Sequence, residues 1–511
     1  MTREGDFFMA IFLNDDYEHF FVRNSPEDMT KEALERQVDL YSQAGVSGCF
    51  FCVNAQSAYY DSKVYDTAWK DVVQKEDGLY YHRDVVITDK PLPTLTNTLH
   101  AKAACENTAN KVFQIRIDRC RVHGMRGGLS IRMNDRHLTD YPESPMHSDF
   151  WYNNPQYRLP CGGYDYAEKA VRKEMKGLIR EVLEMFDPDA VELDWMRSPP
   201  FFRNGHAEEN SCCADEMVRF AYEEKCRAEK RCGHRILLYV RVPSRVEEAL
   251  ALGLDVIRWA KNGWIDGVVG CAFILCTDSN MPQWIWRSLL PDNVDFMPGM
   301  DVLTTPHSES YGIEGDKLAL EILTGYAAVF YYRGAKDLYL FNHFFAAAPW
   351  MNKELYLRKI ESVLTAENAV KSPRRHVATA CCNLVPGVAY SSNLPLTAGA
   401  GFNQIRIEVG GGLKDRKIRV LFAFTSPETL QESDFEFQVN NVPCTSCEDT
   451  DHYALPDKSW HNNTQIMSWQ RFICEVPPEA VTEGVMIAAF RATRKLEAQL
   501  HWCEFDVEKR V

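Results

Sequence analysis

A chain of 511 residues exceeds what one hydrophobic core ordinarily supports, so two or three domains are expected. Apolar residues at 45% and charged residues at 25% exclude wholesale disorder, and a formal net charge of −15 excludes the basic face that a nucleic-acid partner requires.

Residues 7–13 form a continuous apolar run, the mark of a strand buried on both faces, and end in the polar tip Asn14-Asp15-Asp16. A helix is predicted from Thr30, with Leu34, Val38 and Tyr41 on one side and Gly45 as its stop. Residues 48–53 make a second buried strand, tipped by Asn54-Ala55-Gln56. Strand, helix, strand with polar groups after each strand is the right-handed unit of parallel sheets. Helical patterning then spans residues 97–123, and a third strand, residues 128–133, carries the tip Asn134-Asp135-Arg136-His137. The long loop that follows holds Phe150-Trp151-Tyr152, and its aromatic density argues for a working loop.

Residues 165–186 show the clearest helical stripe, with Val171, Met175, Leu178, Val182 and Met185 on one side and charges on the other. It leads into residues 191–196, a strand with Val191, Leu193 and Trp195 on one face and Glu192 and Asp194 together on the other. Arg197 follows at once, and Pro199-Pro200 ends the ladder. A charged helix over 214–232 precedes a fifth strand, residues 235–242, tipped by Arg241 and Pro243. Helix 246–262, strand 267–274 and strand 294–297 come next, the last ending in Pro298-Gly299-Met300-Asp301. Helix 318–331 leads to the eighth strand, residues 337–341, tipped by Asn342-His343-Phe344.

Eight strands alternating with helices or loops predict an α/β fold, a (β/α)8 barrel with enlarged loops. An open doubly wound sheet would need a Gly-rich phosphate loop after its first strand, and none is present. Beyond residue 379 the pattern changes to short alternating runs at 403–409, 417–422 and 485–488, separated by Gly410-Gly411-Gly412, Pro443 and Pro477-Pro478. That pattern predicts an antiparallel β-sandwich. The expected division is a catalytic barrel over residues 1–370 and an accessory sandwich over residues 371–511.

The opening residues lack a basic-then-apolar signal pattern, and no run of about eighteen apolar residues suggests a membrane span. Seventeen cysteines, several in apolar runs (Cys49, Cys52, Cys271, Cys276), read as buried free thiols of a reducing compartment. A cytoplasmic location is the expectation, a trimmed secretion signal aside. Cys444-Thr445-Ser446-Cys447 has metal or redox spacing but no matching second pair, so no metal is assigned to it.

In such barrels the reactive groups gather at the C-terminal ends of the strands. The tips here supply Asn14, Asp15, Asn54, Gln56, Asn134, Asp135 and His137, then Glu192, Asp194, Trp195 and Arg197. Arg241, Asp301, Asn342 and His343 come from later strands, Trp151 from the long loop and Glu309 from the loop after the seventh strand. Carboxylates and amides bond directionally to hydroxyls and aromatic faces stack on sugar rings, so a carbohydrate is the expected partner. Glycosidic bond cleavage needs one protonated and one ionised carboxyl group. Asp194 is the expected ionised group, its pKa lowered by Arg197, with Glu192 either positioning it or bonding a substrate hydroxyl. Asp301, Glu309 and Asp135, in that order, are candidates for the proton donor. No cofactor is expected, and neither nucleic acid nor membrane; a homo-oligomer is left open. The competing readings are a metal-dependent sugar isomerase or epimerase using Glu192, Asp301 and His343, and a catalytically silent carbohydrate-binding barrel.

Three stretches carry a resemblance: Glu192-Leu-Asp-Trp-Met-Arg-Ser-Pro-Pro-Phe-Phe202, Ser130-Ile-Arg-Met-Asn-Asp135 and Ala335-Lys-Asp-Leu-Tyr-Leu-Phe-Asn342. They resemble the uncharacterised glycosyl-hydrolase-like (β/α)8 proteins of bacteria described as "family 10-like". The resemblance implies an acid-bearing fourth strand, a β-sandwich behind the barrel, and chemistry on sugars such as polysaccharide degradation. The classical xylanase-type clan carries an Asn-Glu pair after the fourth strand. This chain has Leu193-Asp194-Trp195 there, which favours an aspartate as the key acid.

Overall fold

A computed structural model describes residues 9–203, 207–272, 277–278, 280–302, 315–343, 345, 352–378, 394–448 and 470–508. Eight strands close a parallel barrel. They are β1 (Ala10–Asp15), β2 (Gly48–Cys52), β3 (Arg126–Arg132) and β4 (Ala190–Asp194). β5 (Leu237–Pro243), β6 (Gly267–Cys271), β7 (Asp295–Asp301) and β8 (Asp337–Phe341) complete it. Each strand pairs with the next, and β8 returns to β1 with Ala10 opposite Asp337.

Strand parity decides what lies inside. Phe12, Phe50, Tyr239, Met297 and Tyr339 form one buried cluster, so the residues two further along each strand also face inward. Large inward side chains meet glycine on a neighbouring strand. A Cβ at Gly267 would lie 2.2 Å from the Tyr239 ring, and one at Gly128 would lie 2.7 Å from Phe50. Those glycines let four aromatic rings fill a barrel that has no room for a further side chain at that level. The outward residues Ile11, Leu13, Val191, Leu193 and Trp195 are buried against the helices. At about 1.5–3 kcal/mol for each large apolar side chain, this outer layer is the main source of barrel stability.

Two expected helices are each broken. Residues 97–123 divide into Thr94–Asn107 and Val112–Val122, because Ala109 and Asn110 adopt φ of 48° and 61°. Asn110 is fixed there by bonds between its side-chain amide and the Asp61 backbone. Residues 246–262 divide into Val246–Ala251 and Val256–Lys261 at Gly253, with Asp255 capping the second helix through the Arg258 N–H.

The tail is a two-sheet antiparallel sandwich. One sheet contains Arg374–Val377, Gln499–Val507, Ile418–Thr425, Gln470–Glu475 and Thr445–Ser446 in that order, with Leu396–Thr397 on Gln499–Val507. The other contains Asn403–Gly410, Gly484–Ala492, Phe435–Val439 and Val442–Pro443. Its own core centres on stacked rings, Phe422 on Phe437 and Phe424 on Phe435. The barrel helix Gly315–Tyr332 lies against this domain so closely that a Cβ at Gly325 would meet the Arg375 carbonyl. Arg375 ties the two together through Glu321 at 2.7 Å and Glu504 at 2.5 Å, all three buried. Among the described residues no helix is long and apolar enough to cross a membrane, and no cysteine is in a disulfide.

Candidate active site at the barrel mouth

The parity that fills the barrel with aromatics lower down places Asn14, Ser130, Glu192 and Tyr339 inward at the next level. Arg132, Asp194, Arg241 and Asp301 follow above them. Asp194 is 1% exposed, and both of its carboxylate oxygens lie 2.9 Å from Arg241 Nη1. Its Oδ1 also accepts from the backbone N–H groups of Met196 and Arg197. The partner of Asp194 is therefore Arg241, one strand over and directly opposite in register, and not Arg197 as expected from adjacency. The guanidinium in turn stacks 3.7 Å from the Phe341 ring centre and donates to Cys271 Sγ. Charge-assisted contacts and two backbone N–H groups thus hold this buried carboxylate in place.

Glu192 is a different kind of acid. It is fully buried, and Ser130 Oγ and Asn14 Nδ2 both donate to its Oε1, at 2.7 and 3.3 Å. Burial, and then the charge of Asp194, push its pKa up to about 7. Asn14 also donates to Tyr339 Oη at 2.8 Å, joining β1, β4 and β8.

A second charged group lines the β1–β3 side. Arg132 donates to Asp16 at 2.6 Å and to Asp135 at 2.9 Å. Asp135 accepts from the ring of His137 as well, and Arg197 donates to His137 Nε2 at 2.6 Å. Arginine has no lone pair to offer, so the His137 proton sits on Nδ1 and faces Asp135. Burial alone would raise the Asp135 pKa, but His137, Arg132 and Arg197 outweigh it and hold the carboxyl well below its usual range.

Several expected binding residues are occupied by structure instead. Asp15 faces outward to Tyr41 Oη in the helix layer, where burial raises its pKa to about 6. Asn54 extends the β2–β3 ladder through the Arg132 N–H and carbonyl. Asn134 holds the loop through Tyr164 and Pro200. Trp151 is buried under His147 and Arg158, with its indole N–H on the Gly162 carbonyl. Trp195 has the outward parity of its strand and packs on Tyr166, Phe201 and Trp259, so it touches no barrel ligand. Glu309 lies outside the described residues.

What remains is a set of buried polar atoms that make no well-formed hydrogen bond among the described residues at this end: Asp16 Oδ1, Gln56 Oε1, Glu192 Oε2, Arg197 Nε, Asn342 Oδ1 and both ring nitrogens of His343. Burial lowers the His343 pKa well below its usual value, so that ring is neutral. Glu192, Asp301 and His343 do not bring ligand atoms within 4.8 Å of one another, so the metal site of the isomerase reading is not formed. Asp16 was expected as part of the first strand's polar tip; the contributions of Ser130, Arg132 and Tyr339 were not anticipated, although strand parity carries that signal for all three. Asp278, buried after β6 and bonded to Ser244 and Arg245, had no such signal.

No protein-family model matches the chain, and no curated protein matches it. Solved structures do. An α-L-fucosidase isoenzyme from Paenibacillus thiaminolyticus aligns at 10% identity and TM-score 0.38, over 71% of this chain and 49% of that one. The catalytic domain of chitinase B from Arthrobacter TAD20 aligns at 9% and 0.40, over 70% and 96%. Chitinase ChiA74 from Bacillus thuringiensis aligns at 9% and 0.39, over 96% and 99%. This chain thus spans about half the length of the fucosidase. Likenesses this remote bear on fold at most, and the strand pairing already establishes the barrel.

Proposed function

We propose that the chain is a glycoside hydrolase working at the C-terminal mouth of the barrel. The observation that carries this reading is the buried Asp194–Arg241 pair at the same end as buried polar atoms that make no well-formed hydrogen bond among the described residues. Buried polar groups without partners cost about 1–3 kcal/mol each, so a site that keeps several is suited to a ligand rich in hydroxyls. In this reading Asp194 is the ionised carboxylate, acting as nucleophile or activating water. Glu192 holds a proton near neutrality, which leaves Asp194 the single negative charge facing Arg241. Asp135 is held ionised by its cationic neighbours and is a poor proton donor. Asp301, inward at the tip of β7 and 8% exposed, takes that role.

A panel of aryl glycosides of the common sugars tests the reading. On any substrate the wild type turns over, Asp194→Asn should lower kcat by at least about a thousandfold, and Asp301→Asn should slow substrates with poor leaving groups most. Unchanged turnover in Asp194→Asn overturns the assignment.

A further inference from the structure

At the opposite, N-terminal end of the barrel, Asp187, Cys232 and His234 bring one oxygen, one sulfur and one nitrogen within 4.8 Å of one another. Asp187 lies just ahead of β4, Cys232 ends the helix Ala207–Cys232, and His234 stands in the turn before β5. Gly233, at φ 79°, makes the tight turn between the cysteine and the histidine. We propose that these three side chains bind a zinc ion that staples the end of this helix to the floor of the barrel.

Three features support the assignment. The donor set of thiolate, imidazole and carboxylate is the one zinc prefers. His234 Nδ1 lies 2.9 Å from the Arg235 carbonyl, which holds its proton and leaves Nε2 facing Asp187 Oδ1 at 2.6 Å. Zinc-ligating histidines are ordinarily oriented by such a bond on the other ring nitrogen. The side chains of Asp187 and His234 are 37% and 33% exposed, so an ion and a water ligand have access.

The nearby cations do not block the site. Arg121 reaches Asp187 through Oδ2, at 3.0 Å, and is anchored independently on Asp189 Oδ1 at 2.9 Å and the Asp187 carbonyl at 2.7 Å. To admit the ion it must give up Oδ2 and also the 3.2 Å contact of its Nη2 with His234 Nε2, while the Nε bond to Asp189 stays. Burial and Asp187 raise the Cys232 thiol pKa, and Arg231 Nη2, 3.2 Å from Sγ and held by the Phe186 carbonyl, offsets only part of that, so the ion itself must displace the thiol proton. Binding releases the thiol proton and the Nε2 proton that bridges His234 to Asp187, and changes no oxidation state.

The test uses the full chain, stripped with a chelator and titrated with Zn²⁺ against a chromophoric competitor. Wild type should bind one zinc more than Cys232→Ser or His234→Ala, or bind it at least about tenfold more tightly, and zinc should raise Tm only in wild type. Co²⁺ in place of zinc should give a thiolate-to-metal charge-transfer band that Cys232→Ser loses. Equal stoichiometry and affinity in wild type and Cys232→Ser overturn the proposal. So does a wild-type cobalt complex without the thiolate band, which decides the matter even where a variant fails to fold.

Discussion

At the N-terminal end of the barrel interior, Arg126 donates to Tyr239 Oη at 3.1 Å, Tyr239 donates to Asp295 at 3.3 Å, and Asp337 accepts from the Ala10 N–H. No side-chain atom of these residues is buried without a partner. At the C-terminal end, Arg241 and Asp194 satisfy each other, while Glu192, His343, Asn342 and Gln56 each keep at least one polar atom without a well-formed hydrogen bond among the described residues. Both ends are built from inward-facing polar residues on the same eight strands. One end closes its hydrogen bonds and serves as a plug. The other leaves them open, which is what a ligand site requires and a purely structural layer avoids.

The sharpest way to break this contrast is to disturb the one mouth pair that is fully satisfied. Arg241→Met leaves Asp194 as an uncompensated buried charge, and urea unfolding should show a loss of about 3–5 kcal/mol. Asp194→Asn combined with Arg241→Met should recover much of that loss. A small effect of Arg241→Met alone would mean that water reaches Asp194 freely and that the mouth is no low-dielectric site.

Glu192 tests the same contrast through pH. Its native pKa of about 7 lies above the ordinary 4.5, so between those values the native state keeps a proton that the unfolded chain has released. Its stabilising contribution is complete below about pH 4.5 and is lost as pH rises through about 7. Glutamine cannot titrate. The stability of wild type relative to Glu192→Gln should therefore fall by on the order of 3 kcal/mol from pH 4 to pH 8, measured as paired urea midpoints. A pH-independent difference would show that the native pKa of Glu192 is no higher than in the unfolded chain.

At the plugged end the expected effect is smaller. Tyr239→Phe keeps the ring packed against Gly267 and removes the hydroxyl shared by Arg126 and Asp295. A loss of about 1 kcal/mol is expected, with no change in turnover.

How much of this was legible in the sequence follows from which forces are local. All eight barrel strands were readable, β4 from its alternation of apolar and acidic residues, and parity alone placed Glu192 and Asp194 on one side. The same parity put Trp195 on the far side, so assigning it to the ligand ignored a signal that was present. The Arg241 partnership was not legible from adjacency, because it depends on the register between β4 and β5. The broken helices depend on left-handed residues such as Asn110, stabilised by a contact 49 positions away that no window of periodicity contains. Asn54 and Asn134 were chosen as polar tips, and a polar tip residue serves the backbone as readily as a ligand.

His343 draws the distinction most finely, because it separates stability from binding. It is 2% exposed and neutral, and its ring has only a weak contact with the Asp301 backbone in place of a well-formed hydrogen bond. A structural histidine at such a position would be bonded, and replacing it would cost stability. An unsatisfied one already carries its desolvation penalty, so an apolar residue of similar size removes that penalty while keeping most of the packing. His343→Leu should therefore leave Tm unchanged or raise it slightly, the smallest effect of the series. The same variant should weaken the rise in Tm that a bound sugar produces in wild type. A clear drop in Tm with sugar binding intact would place His343 among the plug residues and erase the difference between the two ends of the barrel at that strand.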